Sequence, residues 1–113
     1  MKHLLLSLIL LALPSLASAQ KQVTTTVRIT YYNINGRTAY GTQTHNGIVA
    51  VSRDLERMGF KLGEKVYIEG YGTFQIQDRT SSRLTKTIDI WLPKGKRIKN
   101  GKNIKATLIY DND

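Results

Sequence analysis

Two aspartates, Asp78 and Asp89, are the residues of this chain with the clearest capacity for chemistry. Asp78 follows the alternating segment 73–77, in which Phe74 and Ile76 share its side of a strand. If these apolar residues face a barrel core, Asp78 lies at the rim, where desolvation favours the neutral form that a general acid needs. The sequence therefore predicts a candidate general acid, with an aspartate that merely begins a turn as the alternative.

Asp89 lies between Ile88 and Ile90, so its side chain is expected on the face opposite to theirs. An acidic residue in the middle of a strand is unfavourable, and it needs a hydrogen-bonding or ionic partner if it is covered. Asp89 is interpreted either as an anchor for a loop backbone or as a group that orients or tunes Asp78. Arg79, beside Asp78, would instead favour the ionised carboxylate.

Several kinds of chemistry are excluded by composition. The chain contains no cysteine, so it has no thiol nucleophile, disulfide, zinc–thiolate site or lipid-anchoring cysteine. His45 is the only histidine after the first nineteen residues, and it lies among threonine and asparagine residues. A His-based triad, a metal site and a cofactor are therefore not expected.

The first nineteen residues have the pattern of an export signal. Lys2 precedes an apolar segment, residues 4–13, which is far shorter than the roughly 20 apolar residues that span a bilayer. The small-residue pattern A-S-A ending at Ala19 predicts cleavage after that residue, rather than a buried N-terminal helix. We expect residues 20–113 to be one domain, periplasmic or secreted, with no stable membrane span. Loss of Lys2 lowers the formal charge from +9 to +8.

The rest of the sequence indicates six short strands and one short helix. Ser52 as N-cap, acidic residues in the first turn and Gly59 as the stop predict a helix of about two turns. Six short strands in a small domain favour closure into a barrel, which leaves no unpaired edge, although a two-sheet sandwich remains possible. Segments rich in β-branched and aromatic residues predict the strands at 23–32, 48–51, 65–69, 73–77, 87–92 and 103–110.

The order of several short motifs resembles the three-aspartate (3D) family, which is related to the rare lipoprotein A-like proteins. These motifs are T-A-Y-G at 38–41, G-I-V-A-V at 47–51, L-G-E-K-V-Y-I at 62–68, and Asp78 followed eleven residues later by the aspartate of I-D-I. The resemblance covers roughly residues 28–92. It implies an all-β fold, a small six-stranded double-psi β-barrel with one short helix.

The resemblance also implies an activity. In this superfamily the catalytic domain of membrane-bound lytic murein transglycosylase A cleaves the glycan strands of peptidoglycan. The implied mechanism uses one carboxyl group, which protonates the glycosidic oxygen and then helps the 6-hydroxyl of the sugar to close an anhydro ring. Asp78 matches the acid of the family and Asp89 its partner aspartate. Ordinary glycosidases use two flanking carboxylates instead.

Two departures from the family pattern leave a non-catalytic peptidoglycan- or polysaccharide-binding barrel as the alternative function. Ser52 stands where the family has its first aspartate, although Asp54 lies two residues further on. The glycine-rich stretch of the family is replaced here by D-R-T-S-S-R-L-T at 78–85, which changes the backbone of the groove. The residues predicted to contact the glycan are Tyr32, Tyr40, Thr42, Ser52, Asp54 and Arg79.

A basic segment precedes and enters the last predicted strand. Such a segment is usually a solvated face, but it also attracts anionic polymers. The expected partner is peptidoglycan or another anionic cell-wall polysaccharide, and the protein is expected to be a monomer. No nucleic-acid partner is expected, because no recognition motif is present. The basic residues are Lys94, Lys96, Arg97, Lys99, Lys102 and Lys105.

Overall fold

The computed structural model describes residues 22–110, which form a closed β-barrel of six strands with one short helix. The prediction of a six-stranded all-β barrel is confirmed, and the two-sheet sandwich is excluded. The predicted export signal, residues 1–19, lies outside the described residues. The elements are β1 (Thr24–Tyr32), β2 (Ile48–Val51), α1 (Arg53–Met58), β3 (Lys65–Ile68), β4 (Gly72–Arg79), β5 (Thr87–Trp91) and β6 (Gly101–Ile109).

Every strand of the barrel is paired on both sides. The strand order is β1-β5-β2-β4-β3-β6, and β6 closes back on β1. The pairs β1–β5 and β2–β4 are parallel, whereas the other four pairs are antiparallel. Each parallel pair joins strands that are far apart in the chain. Because the barrel of residues 22–110 is closed, it has no free sheet edge to which another chain could add a strand.

Branched aliphatic side chains fill the interior of the barrel. Val49 and Val51 of β2 lie in this core together with Ile88 and Ile90 of β5, which are directly paired with them. Side chains alternate between the two faces of a strand, so the residues between these pairs point outward. The barrel therefore presents Ala50 of β2 on its outer face.

The helix begins and ends close to the predicted positions, but Ser52 does not cap it with its side chain as predicted. Ser52 makes no side-chain cap to α1. Its hydroxyl instead accepts a hydrogen bond from the backbone N–H of Thr87 at 3.0 Å, and its own N–H donates to the Thr87 carbonyl at 3.0 Å. Gly59 ends the helix with φ 121°, a conformation that favours glycine.

A β-bulge in β4 determines which way Asp78 points. Val49 pairs with Ile76 and Ala50 pairs with Asp78, so Gln77 is the extra residue. Asp78 consequently lies on the outer face with Ala50, whereas Ile76 belongs to the core. The prediction that Asp78 shares the face of Ile76 is wrong, because strict alternation does not hold across a bulge.

Candidate active site

Asp78 and Asp89 lie in one row across the outer face of the barrel. Ala50 of β2 pairs with Asp78 of β4 on one side and with Asp89 of β5 on the other, and Thr30 of β1 pairs with Asp89. Two strand spacings of about 4.8 Å place the two aspartate Cα atoms roughly 10 Å apart. The small side chain between them leaves room for both carboxyl groups to face one ligand.

The row lies in a cleft with a volume of about 260 Å³. The sheet contributes Tyr32, Ala50, Asp78 and Asp89, and the β1–β2 loop contributes residues 34–37. This volume is slightly below the usual range for small-molecule pockets, so the cleft suits one part of a longer ligand.

Hydrogen bonds to β5 hold the start of the β1–β2 loop beside the cleft. The indole N–H of Trp91 donates to the carbonyl of Ile34 at 2.9 Å. The side-chain amide of Asn33 donates to the carbonyl of Leu92 at 3.0 Å. The exposed Ile34 side chain is thereby fixed at the mouth of the cleft, where it can contact a ligand.

The middle of the same loop is attached to the bulge in β4. The Thr42 hydroxyl donates to the side-chain carbonyl of Gln77, and the Tyr40 N–H donates to the Gln77 backbone carbonyl at 2.9 Å. The Tyr40 ring packs over Gly63 and does not line the cleft. Thr42 and Tyr40, both predicted to contact the glycan, are therefore placed as residues that fix the loop.

The carboxylate of Asp78 has one oxygen engaged with the backbone. Oδ1 accepts hydrogen bonds from the N–H of Ala39 at 3.1 Å and from the N–H of Arg79 at 3.0 Å. Within the described part of the chain Oδ2 forms no hydrogen bond of ordinary length, although the Tyr32 phenol interacts with this carboxyl group closely enough for the interaction to raise the pKa of the phenol. Asp78 can thus anchor the loop through one oxygen and present the other to a ligand.

Burial changes the ionisation of Asp89. Desolvation raises the pKa of the Asp89 carboxyl above its usual range, and the negative charge of Asp78 raises it further. A hydrogen bond of 2.7 Å from the Thr30 hydroxyl to Oδ1 opposes this shift. Asp89 therefore retains a proton more readily than an ordinary aspartate.

Tyr32 places a protonated hydroxyl beside the two carboxyl groups. Burial raises the pKa of this phenol above its usual range, and the charges of Asp78 and Asp89 raise it further. Its oxygen is buried and has no hydrogen-bond partner among residues 22–110. A buried hydroxyl without a close partner is uncommon in a folded protein, and this one lies near the Asp78 carboxyl group, whose interaction with it contributes to the raised pKa of the phenol.

Two other predicted contact residues do not line the cleft. Ser52 is fully buried between β2 and β5. The Asp54 carboxylate accepts the N–H of Lys86 at 3.2 and 2.9 Å, and thereby holds the segment before β5. Partial burial opposes ionisation of Asp54, but hydrogen bonds from Ser52 and Lys86 outweigh it and lower the Asp54 pKa.

Arg79 lines the cleft but its guanidinium is already occupied. It forms two hydrogen bonds of 2.8 Å with the carboxylate of Glu56 on α1. The cation that the sequence placed beside Asp78 is consequently paired elsewhere.

Sequence reasoning missed three contributors to the site. Ala50 provides the space between the carboxyl groups, Thr30 donates to Asp89, and Ala39 donates its N–H to Asp78. Only Ala50 had a local signal, as the one small residue in I-V-A-V. The other two contacts join residues far apart in the chain and follow from the strand order.

We expect Ser52→Ala to destabilise the barrel without altering ligand binding at the cleft. The substitution leaves the buried N–H of Thr87 without its acceptor, which should lower the free energy of unfolding by about 1–3 kcal/mol. Urea unfolding followed by circular dichroism measures this change. A loss of glycan affinity in a variant of unchanged stability would instead support the predicted contact role of Ser52.

We expect Asp89→Asn to raise the melting temperature by a few degrees at pH 7 and by less at pH 3. The folded-state pKa of Asp89 is raised, so stability falls as pH rises from the ordinary aspartate pKa of 3.8 through the folded pKa. The amide removes this loss, and its carbonyl can still accept the Thr30 hydrogen bond. Calorimetry at the two pH values measures the difference.

Glu56→Gln is the matched control, because its effect should have the opposite sign. The hydrogen bonds from Arg79 lower the pKa of Glu56, so the pair stabilises the folded state fully above the ordinary glutamate pKa of 4.5 and less at lower pH. This variant should melt slightly below the wild type at pH 7, with a smaller difference at pH 3. A lower melting temperature of Asp89→Asn at pH 7 would contradict the assignment of Asp89 as a desolvated acid.

No protein-family model, curated protein or solved structure matches this chain. Within residues 22–110, no group of three or more His, Cys, Asp or Glu side chains is arranged to hold a metal ion. In the same part of the chain, no helix has the length and apolar character needed to cross a membrane.

Proposed function

We propose that this protein is an exported cell-wall protein that cleaves the glycan strands of peptidoglycan, with Asp78 as the acid/base group. The observation that carries the proposal is the placement of Asp78, Asp89 and the Tyr32 hydroxyl around one cleft. The fold alone carries no function, so the proposal depends on this site and on the motif order around it.

The proposed reaction needs one proton and no water. Asp78 donates a proton to the glycosidic oxygen as the bond from that oxygen to the sugar C1 breaks. The resulting carboxylate then takes the proton of the 6-hydroxyl of the same sugar. The oxygen of this hydroxyl bonds to C1 and closes an anhydro ring. The proton gained at the second step restores Asp78 to its starting state.

The surroundings of Asp78 support this assignment. Its Oδ2 is free to face the glycosidic oxygen, while Oδ1 is held in place by two backbone N–H groups. Asp89 retains its proton more readily than an ordinary aspartate and so carries less negative charge into the cleft at a given pH. The Tyr32 hydroxyl has no close partner among residues 22–110, and its position beside Asp78 would let it hold that carboxyl group in place.

A non-catalytic binding module is the second candidate, and one observation favours it. The Asp78 carboxylate accepts the Ala39 N–H and so fixes the β1–β2 loop, a structural role that needs no reaction. In this case the cleft would hold a sugar through hydrogen bonds from the loop and from Tyr32.

Incubation of the purified protein with insoluble peptidoglycan separates the two candidates. The lytic proposal predicts soluble fragments that increase with time, measured by chromatography. The binding proposal predicts that the protein sediments with peptidoglycan and releases none. Absence of both release and sedimentation over a range of pH and salt would reject both candidates.

A further inference from the structure

A second cavity, of about 330 Å³, lies beside the middle of β1, at residues 26–28. Its lining includes three cationic side chains, Arg28, Lys86 and Lys102, and no carboxylate. All three residues are exposed, and none forms an ion pair among the described residues 22–110. We call this cavity the basic pocket.

A β-bulge in β6 brings two of these cations together. Val27 pairs with Ile104 and Ile29 pairs with Gly101, so Lys102 and Asn103 together lie opposite Arg28. Bulges redirect side chains, and this one places Lys102 beside Arg28 at the mouth of the basic pocket.

The third cation comes from the segment before β5. The Arg28 N–H donates to the carbonyl of Lys86 at 2.7 Å, which fixes Lys86 against β1. The Lys86 ammonium donates to the Thr25 hydroxyl at 2.8 Å, which holds its side chain against the first half of β1. Its other two hydrogens form no hydrogen bond among residues 22–110.

Unusual backbone conformations converge on the basic pocket. Lys86 (φ 48°) and Asn103 (φ 54°) are the two non-glycine residues with positive φ within the described range 22–110. Both line the basic pocket. Lys86 is held in this conformation by the Asp54 carboxylate, which accepts its N–H. Local strain of this kind concentrates at binding sites, where the surrounding contacts maintain it.

We propose that the basic pocket binds an oxyanion group, a phosphate or a carboxylate, carried by an extended polymer. Arg28, Thr30 and Tyr32 alternate with core residues on β1, so they share its outer face. At about 3.3 Å per residue, Arg28 lies roughly 13 Å along the strand from Tyr32. One polymer chain can therefore contact the cleft and place an anionic group in the basic pocket. The binding of the anion does not depend on cleavage.

Titration of the purified protein with inorganic phosphate, and separately with acetate, tests the proposal by backbone-amide NMR. We expect saturable shifts at Arg28, Lys86 and Lys102, with a dissociation constant that rises with NaCl concentration. Arg28→Gln and Lys102→Gln should each weaken binding about tenfold, because each removes a charged hydrogen-bond donor. The anion that binds more tightly identifies phosphate or carboxylate as the natural group.

Lys94→Gln and Lys96→Gln are the matched controls. They remove the same charge from the exposed loop before β6, outside the basic pocket. Their affinities should stay within twofold of the wild type. Equal weakening by the control and pocket variants would show general charge attraction and overturn the proposal, as would the absence of saturable shifts with both anions.

Discussion

Asp78→Asn should lower the release of anhydro-sugar fragments from peptidoglycan by at least about 100-fold, the lower end of the usual contribution of a general acid. Asparagine has nearly the same shape, and its carbonyl can still accept the Ala39 N–H that Asp78 accepts. It cannot donate a carboxyl proton to the glycosidic oxygen. The loss should therefore appear in the rate of release, with the melting temperature little changed.

Glu69→Gln provides the control for this experiment. It also removes one carboxylate from an exposed position, but Glu69 does not line the cleft. Release by this variant should stay within twofold of the wild type. A folded Asp78→Asn protein that releases fragments at the wild-type rate would remove Asp78 from the mechanism.

Ala50→Val should reduce release by roughly 100-fold, because it fills the space between Asp78 and Asp89. Displacement of a reacting group by about 1 Å is enough for a loss of this size. Valine is well suited to a strand, but Ala50 is only 3 % exposed, so the two added methyl groups should also lower the free energy of unfolding by about 1–3 kcal/mol. Fragment release and thermal unfolding are measured on the same preparation.

Ala50→Ser is the conservative control, since serine adds a single oxygen and leaves most of the space open. It should keep at least one third of the wild-type rate. Full activity of Ala50→Val would mean that the ligand does not pass between the two carboxyl groups. Asp78 and Asp89 would then not face one ligand across Ala50.

Local sequence signals predicted the elements of the barrel well. The strands follow runs of β-branched residues, and the helix lies between Ser52 and Gly59 as expected. These signals depend on residues close together in the chain. The bulge at Gln77 has no such signal, because it arises from the pairing of β4 with β2, and it reversed the expected face of Asp78.

The candidate site could be predicted only in part for the same reason. Asp78 and Asp89 were identified individually, but their common row requires β2 to lie between β4 and β5. Ser52 and Asp54 come soon after β2, yet the Ser52 hydroxyl binds the first residue of β5, Thr87, and the Asp54 carboxylate binds Lys86, so neither side chain lines the cleft. Composition and spacing do not specify such long-range contacts.

The group of cations in the basic pocket also could not be predicted from proximity in the sequence. The sequence grouped six cations from Lys94 to Lys105 by proximity in the chain, and only Lys102 of that group lines the pocket. Its other cations, Arg28 and Lys86, come from β1 and from the segment before β5. Barrel closure, which pairs β6 with β1, brings them together.

The most direct test of the proposed chemistry is digestion of peptidoglycan in water enriched in ¹⁸O, followed by mass spectrometry of the fragments. Attack by the 6-hydroxyl of the sugar predicts anhydro ends that are one water lighter than hydrolysis products and carry no ¹⁸O. Fragments with reducing ends that contain one ¹⁸O atom would contradict this account, because they would show that water, and not the sugar itself, attacked C1.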